Sequence, residues 1–300
     1  MMLALTQVKI GKFNLVYSVV DGSVIKGGDT YKRFNEFDIN SKYDLVIMGS
    51  SHAYRGYDIR NFEKELPNCY NLGSGSQQIN QTYILAQNLI NSKNTKRVIL
   101  EVYPQLFFAN TREIESAAYL VANLMQSSIA ISIIKNENDF RLYNQFFIRL
   151  LKYFDAPIEF SENVRNSYYK GYCSNSDSLK NPQKVKVSLA EFPKNYANVV
   201  CNQNSLGYLN LLLQYFKTNN IKVVVCTHFA PIETNKYVYN LFTPLIQEVC
   251  DANDVLYFDY TYKNNLPTEY SFYDHSHLNS NGVKAYNKML ISDLKSIGFL

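Results

Sequence analysis

Three short groups of residues in this 300-residue chain have types and spacing suited to acyl chemistry. Ser51 sits in Gly49-Ser50-Ser51-His52, directly after the apolar run Leu45-Val46-Ile47-Met48. A serine at such a strand-to-helix turn carries its hydroxyl at the edge of a sheet and keeps its own N–H free for an oxyanion. The plainer alternative is a turn or helix-cap serine, a role serine often fills. Asp274 and His277 stand three residues apart in Tyr273-Asp274-His275-Ser276-His277-Leu278-Asn279. A tight turn at that spacing brings the carboxylate to the imidazole, fixes its tautomer and supports the imidazolium formed in catalysis. A polar turn entering a helix is one alternative. A metal site made by Asp274, His275 and His277 is another, weakened by the lack of an accompanying carboxylate cluster.

The third group is Asn71-Leu72-Gly73-Ser74-Gly75-Ser76. Glycine lets the backbone approach a ligand closely, and an N–H ahead of a helix is a ready anion donor, which makes Gly73 a candidate. A dinucleotide fingerprint is not completed, because Gln78 occupies the third glycine position and the loop follows the second strand rather than the first. His52 and Arg55 follow Ser51 closely enough to shape the same pocket. His228, at the end of a later strand, lines it or is simply satisfied there. Cys226, inside an apolar run, reads as a buried inert thiol. No cofactor and no metal is expected.

These residues need a scaffold that gathers the ends of separate strands. From Asp44 onward, short apolar runs alternate with helical segments, the pattern of βαβ units and a parallel sheet. Five strands are predicted: 45–48, 69–72, 98–102, 223–226 and 255–258, with an apolar character that fits cover on both faces. Helices are predicted at 58–66, capped by Asp58, at 76–90, at 206–216, capped by Ser205, and at 282–297. Residues 1–40 form a poorly patterned lead-in to a single domain over 41–300. Residues 105–200 are too long for one crossover and read as an insertion, with helices over Glu113–Lys135 and Asp139–Tyr153. Leaving a strand at Tyr103-Pro104, the insertion is placed to act as a lid or specificity wall, or as a plain helical subdomain.

Composition narrows the classes. With 46% hydrophobic and 19% charged residues, 12 Gly and 8 Pro, the chain is globular rather than disordered or fibrous. The net charge of +4 gives no ground for a nucleic-acid partner. Five cysteines without C-x-x-C spacing argue for reduced thiols rather than a disulfide framework. No apolar stretch reaches the roughly 20 residues of a spanning helix, and no signal peptide is visible, so the chain reads as cytoplasmic as written. The 25 Tyr and 18 Phe could stack on sugar rings, but most belong to core or ordinary surface.

In this order, Gly49-Ser50-Ser51, Gly73 and Asp274-x-x-His277 with Leu278-Asn279 resemble the SGNH (GDSL-like) hydrolase superfamily. The segment Val46-Ile47-Met48-Gly49-Ser50-Ser51-His52-Ala53-Tyr54 is similar to a branch found in bacterial cell-surface and polysaccharide gene clusters. That branch includes relatives of the D-alanyl transfer protein of teichoic acid and of polysaccharide O-acetylation proteins. The resemblance spans roughly residues 43–104 and 220–298. It implies a three-layer α/β/α fold with a five-stranded parallel, flavodoxin-like sheet. It also implies a Ser51–His277–Asp274 triad, an oxyanion hole from the N–H groups of Ser51 and Gly73, and association with the cell envelope. The activity implied is a serine esterase or acyltransferase working on a small acyl ester, such as an O-acetyl group, of a carbohydrate. The alternative is a non-catalytic relative that binds a glycan or assists assembly. One block departs from the family: where Gly-x-Asn-Asp would give an asparagine to the oxyanion hole, this chain has Glu101-Val102-Tyr103-Pro104. Gln77, Gln78 and Asn80 are the candidates to replace that donor.

Overall fold

A computed structural model describes residues 9–10, 13–14, 29–107, 114–143, 145–146, 168–176, 201–231 and 236–300. Its helices are α1 (Asp29–Glu36), α2 (Ser51–Gly56), α3 (Ile59–Phe62), α4 (Ile79–Leu89), α5 (Ile114–Asn123), α6 (Ser127–Glu137), α7 (Gln203–Thr218), α8 (Lys236–Ala252), α9 (Thr268–Ser271) and α10 (Ser280–Ser296). The strands of the main sheet are β1 (Leu45–Met48), β2 (Cys69–Asn71), β3 (Arg97–Glu101), β4 (Lys222–Thr227) and β5 (Leu256–Asp259). The chain forms two compact units, one of residues 1–38 and 113–166, the other of residues 39–112 and 167–300. The first part of the expected insertion therefore clusters with the N-terminal lead-in.

The second unit contains the sheet, in the order β2-β1-β3-β4-β5 with every neighbouring pair parallel. This is the five-stranded parallel α/β architecture expected from the strand pattern. Alternate residues of the strands face opposite ways. Leu45, Ile47, Ile99, Val224 and Cys226 share one core with Ala53 of α2, Tyr57 just after it, Phe62 of α3, and Val283, Tyr286 and Leu290 of α10. The intervening Val46, Met48, Val98, Leu100 and Val225 are buried as well, so both faces are covered. On the sheet's other helical side, α7 packs against α4 and β4.

The order reverses at β1, whose neighbours are β2 and β3, and the carboxyl ends of strands around such a switch point form the crevice where ligands bind. Ser51 leaves β1 there, and Glu101 ends β3. From the far end of the chain, α9 and α10 deliver the segment that carries Asp274 and His277. Asn279 caps α10 by accepting from the N–H groups of Asn281 and Gly282 at 3.0 and 3.1 Å. Its amide donates to Tyr270 O at 2.9 Å, tying the loop between the two helices. An antiparallel bridge between Phe272 and Leu278 closes the base of that loop.

Several boundaries differ from the expected ones. α4 starts at Ile79 behind a Gln78 capping box, because Ser76 adopts a left-handed φ of 49° that cannot enter a helix. α7 starts behind Asn202, ahead of Ser205, since Asn202 accepts the N–H of Asn204. The predicted 58–66 helix is the single turn α3, capped by Asp58 as expected. The predicted Glu113–Lys135 helix is divided into α5 and α6. The Asp139–Tyr153 segment and the Tyr-, Asn- and Ser-rich stretch after it lie largely outside the described residues. Helices α1, α2, α8 and α9 have no counterpart in the sequence pattern, and α8 is the longest of them. Phe242, Ile246 and Cys250 recur at four-residue spacing and are fully buried, while Pro244 inside the helix is a residue normally read as a break.

Two glycines separate close approach from open space. A Cβ at Gly282 would stand 2.2 Å from Ser271 O, whereas one at Gly207 of α7 would meet nothing within 4 Å. Gly282→Ala is therefore expected to cost about 1–3 kcal/mol through overpacking. Gly207→Ala is expected to gain up to about 1 kcal/mol from helix propensity. Urea unfolding of both variants checks the pair; equal effects would contradict the α9–α10 packing.

Candidate active site

Ser51 is the first residue of α2, and the turn before it sets its direction. Gly49 has φ +144°, and a Cβ there would lie 2.6 Å from Glu101 O and 2.7 Å from Glu101 Oε2. Only glycine fits that backbone and that contact. Ser50 then caps α2: its Oγ accepts the N–H of His52 at 3.2 Å. Ser50 also reaches across to β3, where its N–H donates to Glu101 Oε2 at 3.0 Å and its hydroxyl donates to the same oxygen at 2.9 Å. Glu101 is fully buried, and burial raises its pKa to about 8 against the opposing effect of the two Ser50 hydrogen bonds.

Across the crevice, His277 Nε2 lies 2.8 Å from Ser51 Oγ. His277 Nδ1 lies 2.8 Å from Asp274 Oδ2, which as an acceptor places the ring proton on Nδ1 and leaves Nε2 free to accept from the serine hydroxyl. Asp274 Oδ1 takes the N–H groups of Ser276 and His277 at 2.9 and 2.8 Å, so the carboxylate folds its own loop. Burial acts to raise the Asp274 pKa, but the hydrogen bond and charge of His277 with the two backbone donors outweigh it, and the value falls to about 2. The three expected residues therefore stand in one hydrogen-bonded line. His275 is exposed, and among the described residues no group of three or more His, Cys, Asp or Glu is arranged to hold a metal.

His52 and His228 are buried beside this line. The His52 ring stacks on Tyr103 at 3.8 Å and on His277 at 4.7 Å, with interplanar angles of 23° and 24°. Tyr273 stacks on the same His277 imidazole at 5.6 Å and 13°. Burial first, and the neighbouring His277 and His228 second, hold the His52 pKa well below its ordinary value. Burial likewise lowers His228 to about 4, although its Nδ1 donates to Phe229 O at 2.5 Å. Both rings are thus neutral at pH 7 and add no positive charge against an imidazolium at His277. Arg55, one helical turn beyond Ser51, donates from Nε to the Tyr54 hydroxyl at 3.1 Å and covers the Tyr273 ring at 5.2 Å.

Gly73 lies in the loop after β2 as expected, but its N–H is engaged within the chain. Its N–H donates to Asn71 Oδ1 at 3.0 Å, and a Cβ on it would fall 2.7 Å from the Ala53 Cβ. It serves close packing of the second loop against α2. Asn71 is itself held, because its amide donates to Ala53 O and Tyr57 O at 2.9 and 3.3 Å. Gln77 is also committed: its Oε1 accepts from Ser74 and its Nε2 donates to Thr82, both at 2.8 Å. Gln78 donates to Ser76 O at 2.9 Å, and Asn80 lies half-buried in the first turn of α4. Glu101, Tyr103 and Tyr273 were not singled out as site residues from sequence. A carboxylate closing an otherwise apolar strand run was the available signal for Glu101.

No protein-family model matches the chain, and no curated protein does. Among solved structures the chain is similar to a lipase/acylhydrolase from Enterococcus faecalis, at 10% identity and TM-score 0.43, covering 85% of this chain and 96% of that one. It is similar to the acetyl xylan esterase AlAXEase, at 15% identity and TM-score 0.43, covering 83% and 99%. It is also similar to a GDSL-like lipase from Bacteroides thetaiotaomicron, at 10% identity and TM-score 0.45, covering 90% and 98%.

The raised Glu101 pKa has a signature in stability. Its folded value of about 8 exceeds the ordinary 4.5, so between those values the folded state binds the proton more tightly and stability falls as pH rises. His228, lowered from 6.5 to about 4, acts oppositely and only below 6.5. From roughly pH 6.5 to 8, the Glu101 slope is expected to appear in the wild type and to disappear in Glu101→Gln, whose amide oxygen can still accept from Ser50. Urea midpoints at the two pH values measure it; parallel slopes in the two proteins would contradict a buried proton on Glu101.

Proposed function

We propose that this chain is a serine-dependent esterase or acyltransferase of the SGNH type. The observation that carries the reading is the pair of 2.8 Å contacts from Ser51 through His277 to Asp274. His277 Nε2 takes the Ser51 proton as Oγ bonds to the ester carbonyl carbon. The negative charge that develops on the carbonyl oxygen meets the N–H of Ser51, the backbone donor we assign to it. His277 then passes the proton to the departing alkoxide as the ester C–O bond breaks, leaving acyl-Ser51. Water or a sugar hydroxyl attacks that acyl carbon and gives its proton to His277, which passes it to Ser51 Oγ as the acyl C–Oγ bond breaks and restores the serine. Asp274 holds the productive tautomer throughout.

The substrate class, a short acyl and above all O-acetyl ester of a carbohydrate, rests on the resemblance carried by residues 46–54. A second reading, a non-catalytic glycan-binding or assembly protein, is favoured by one observation: Asn71 already occupies the N–H of Gly73. Losing a single oxyanion donor costs about 10²–10³ in rate, which slows an esterase without abolishing it. We therefore keep the catalytic reading first.

On a short-chain aryl acetate, Ser51→Ala and His277→Ala are each expected to lower kcat by about 10⁶-fold and Asp274→Asn by about 10⁴-fold. The fold should be unchanged by circular dichroism. Turnover that survives Ser51→Ala would overturn the reading.

A further inference from the structure

Arg55 is a charged residue that the ester-transfer steps above do not use. It lies four residues after Ser51 on the same helix, and residues at that spacing share one face with their Cβ atoms about 5–6 Å apart. Its guanidinium is half-buried and oriented by two rings, 5.1 Å from the Tyr54 centroid and 5.2 Å from that of Tyr273. Tyr273 in turn stacks on the His277 imidazole. Arg55 is thus held against the ring that stacks on His277, four residues along the helix from Ser51.

Among the described residues it has no anionic partner. Arg60 and Arg141 in this chain pair with Asp58 and Asp139. No carboxylate pairs with Arg55 among the described residues, where its hydrogen bond is the single one from Nε to the neutral Tyr54 hydroxyl. A guanidinium is always charged and carries five donors in a planar fork, so the η nitrogens keep a bidentate face. Tyrosine rings stabilise such a cation in place without neutralising it. His52 and His228, neutral and already packed, do not compete for an anion.

We infer that Arg55 reads charge on the substrate, binding an oxyanion, carboxylate or phosphate, carried by the ester close to the bond that is cleaved. The inference rests on the ester-transfer reading and narrows its substrates to acidic esters. A planar fork binds carboxylate and phosphate alike, and the two sources are separated by experiment.

The test is kcat/KM on matched esters, each normalised to its own hydroxide-catalysed rate. The alcohol-side set is para-acetoxybenzoate, para-acetoxyphenyl phosphonate and the neutral para-acetoxybenzamide. The acyl-side set is a monosuccinate aryl ester and its neutral methyl succinate counterpart. The wild type is expected to favour the anionic member of at least one set by about tenfold or more, with Arg55→Gln reducing that ratio to within about twofold and Arg55→Lys keeping part of it. The better anionic probe identifies carboxylate or phosphate. A merely structural role for Arg55 would lower both members of a set together and leave the ratio intact, and that result overturns the inference. Hydrolysis by the wild type without charge preference overturns it as well while leaving the esterase reading standing. Failure of the wild type to hydrolyse any of the esters overturns the esterase reading itself.

Discussion

Ser51 is placed by a contact it does not make. Glu101, at the end of β3, receives both the N–H and the hydroxyl of Ser50 on a single carboxyl oxygen, and Gly49 leaves the room for that carboxyl to sit beneath the turn. This joins the ends of β1 and β3 at the point where the strand order reverses. The α2 helix starts from Ser50, so the direction of Ser51, the cap of its helix and the burial of Glu101 form one arrangement.

The second half of the arrangement is delivered from the C-terminus. Asp274 uses one oxygen to fold its own loop and the other to orient His277, while Asn279 ties that loop to the start of α10. Around it, burial first and the neighbouring His277 second hold the pKa values of His52 and His228 down, and His277 is the imidazole aimed at the serine. Arg55 supplies positive charge at the margin of the site rather than in its proton path.

Much of this was legible in the sequence where local chemistry decides the outcome. The β1 run Leu45–Met48 is all apolar, and its strand matches the pattern to the residue. The Asp274–His277 spacing fixes a turn that needs no distant partner. What was not legible depends on contacts between strands and loops. The N–H of Gly73 looked free because its acceptor, Asn71, has its side chain direction set by α2. Glu101 looked like a departure from a family motif, but it is the acceptor beneath the turn that carries Ser51. Helix α8 was hidden by Pro244, whose effect as a breaker is outweighed by the burial of Phe242, Ile246 and Cys250. The start of α4 was displaced by the left-handed Ser76, a conformation that residue type alone does not announce.

The central claim is that Ser51 is a nucleophile activated by His277. Intact-protein mass after incubation with a fluorophosphonate probe addresses it most directly, since the phosphonyl group adds to an activated serine and not to a turn serine. The account predicts one adduct per wild-type chain, lost in Ser51→Ala and in His277→Ala. A folded wild type that remains unmodified, or an adduct that persists in Ser51→Ala, would contradict it.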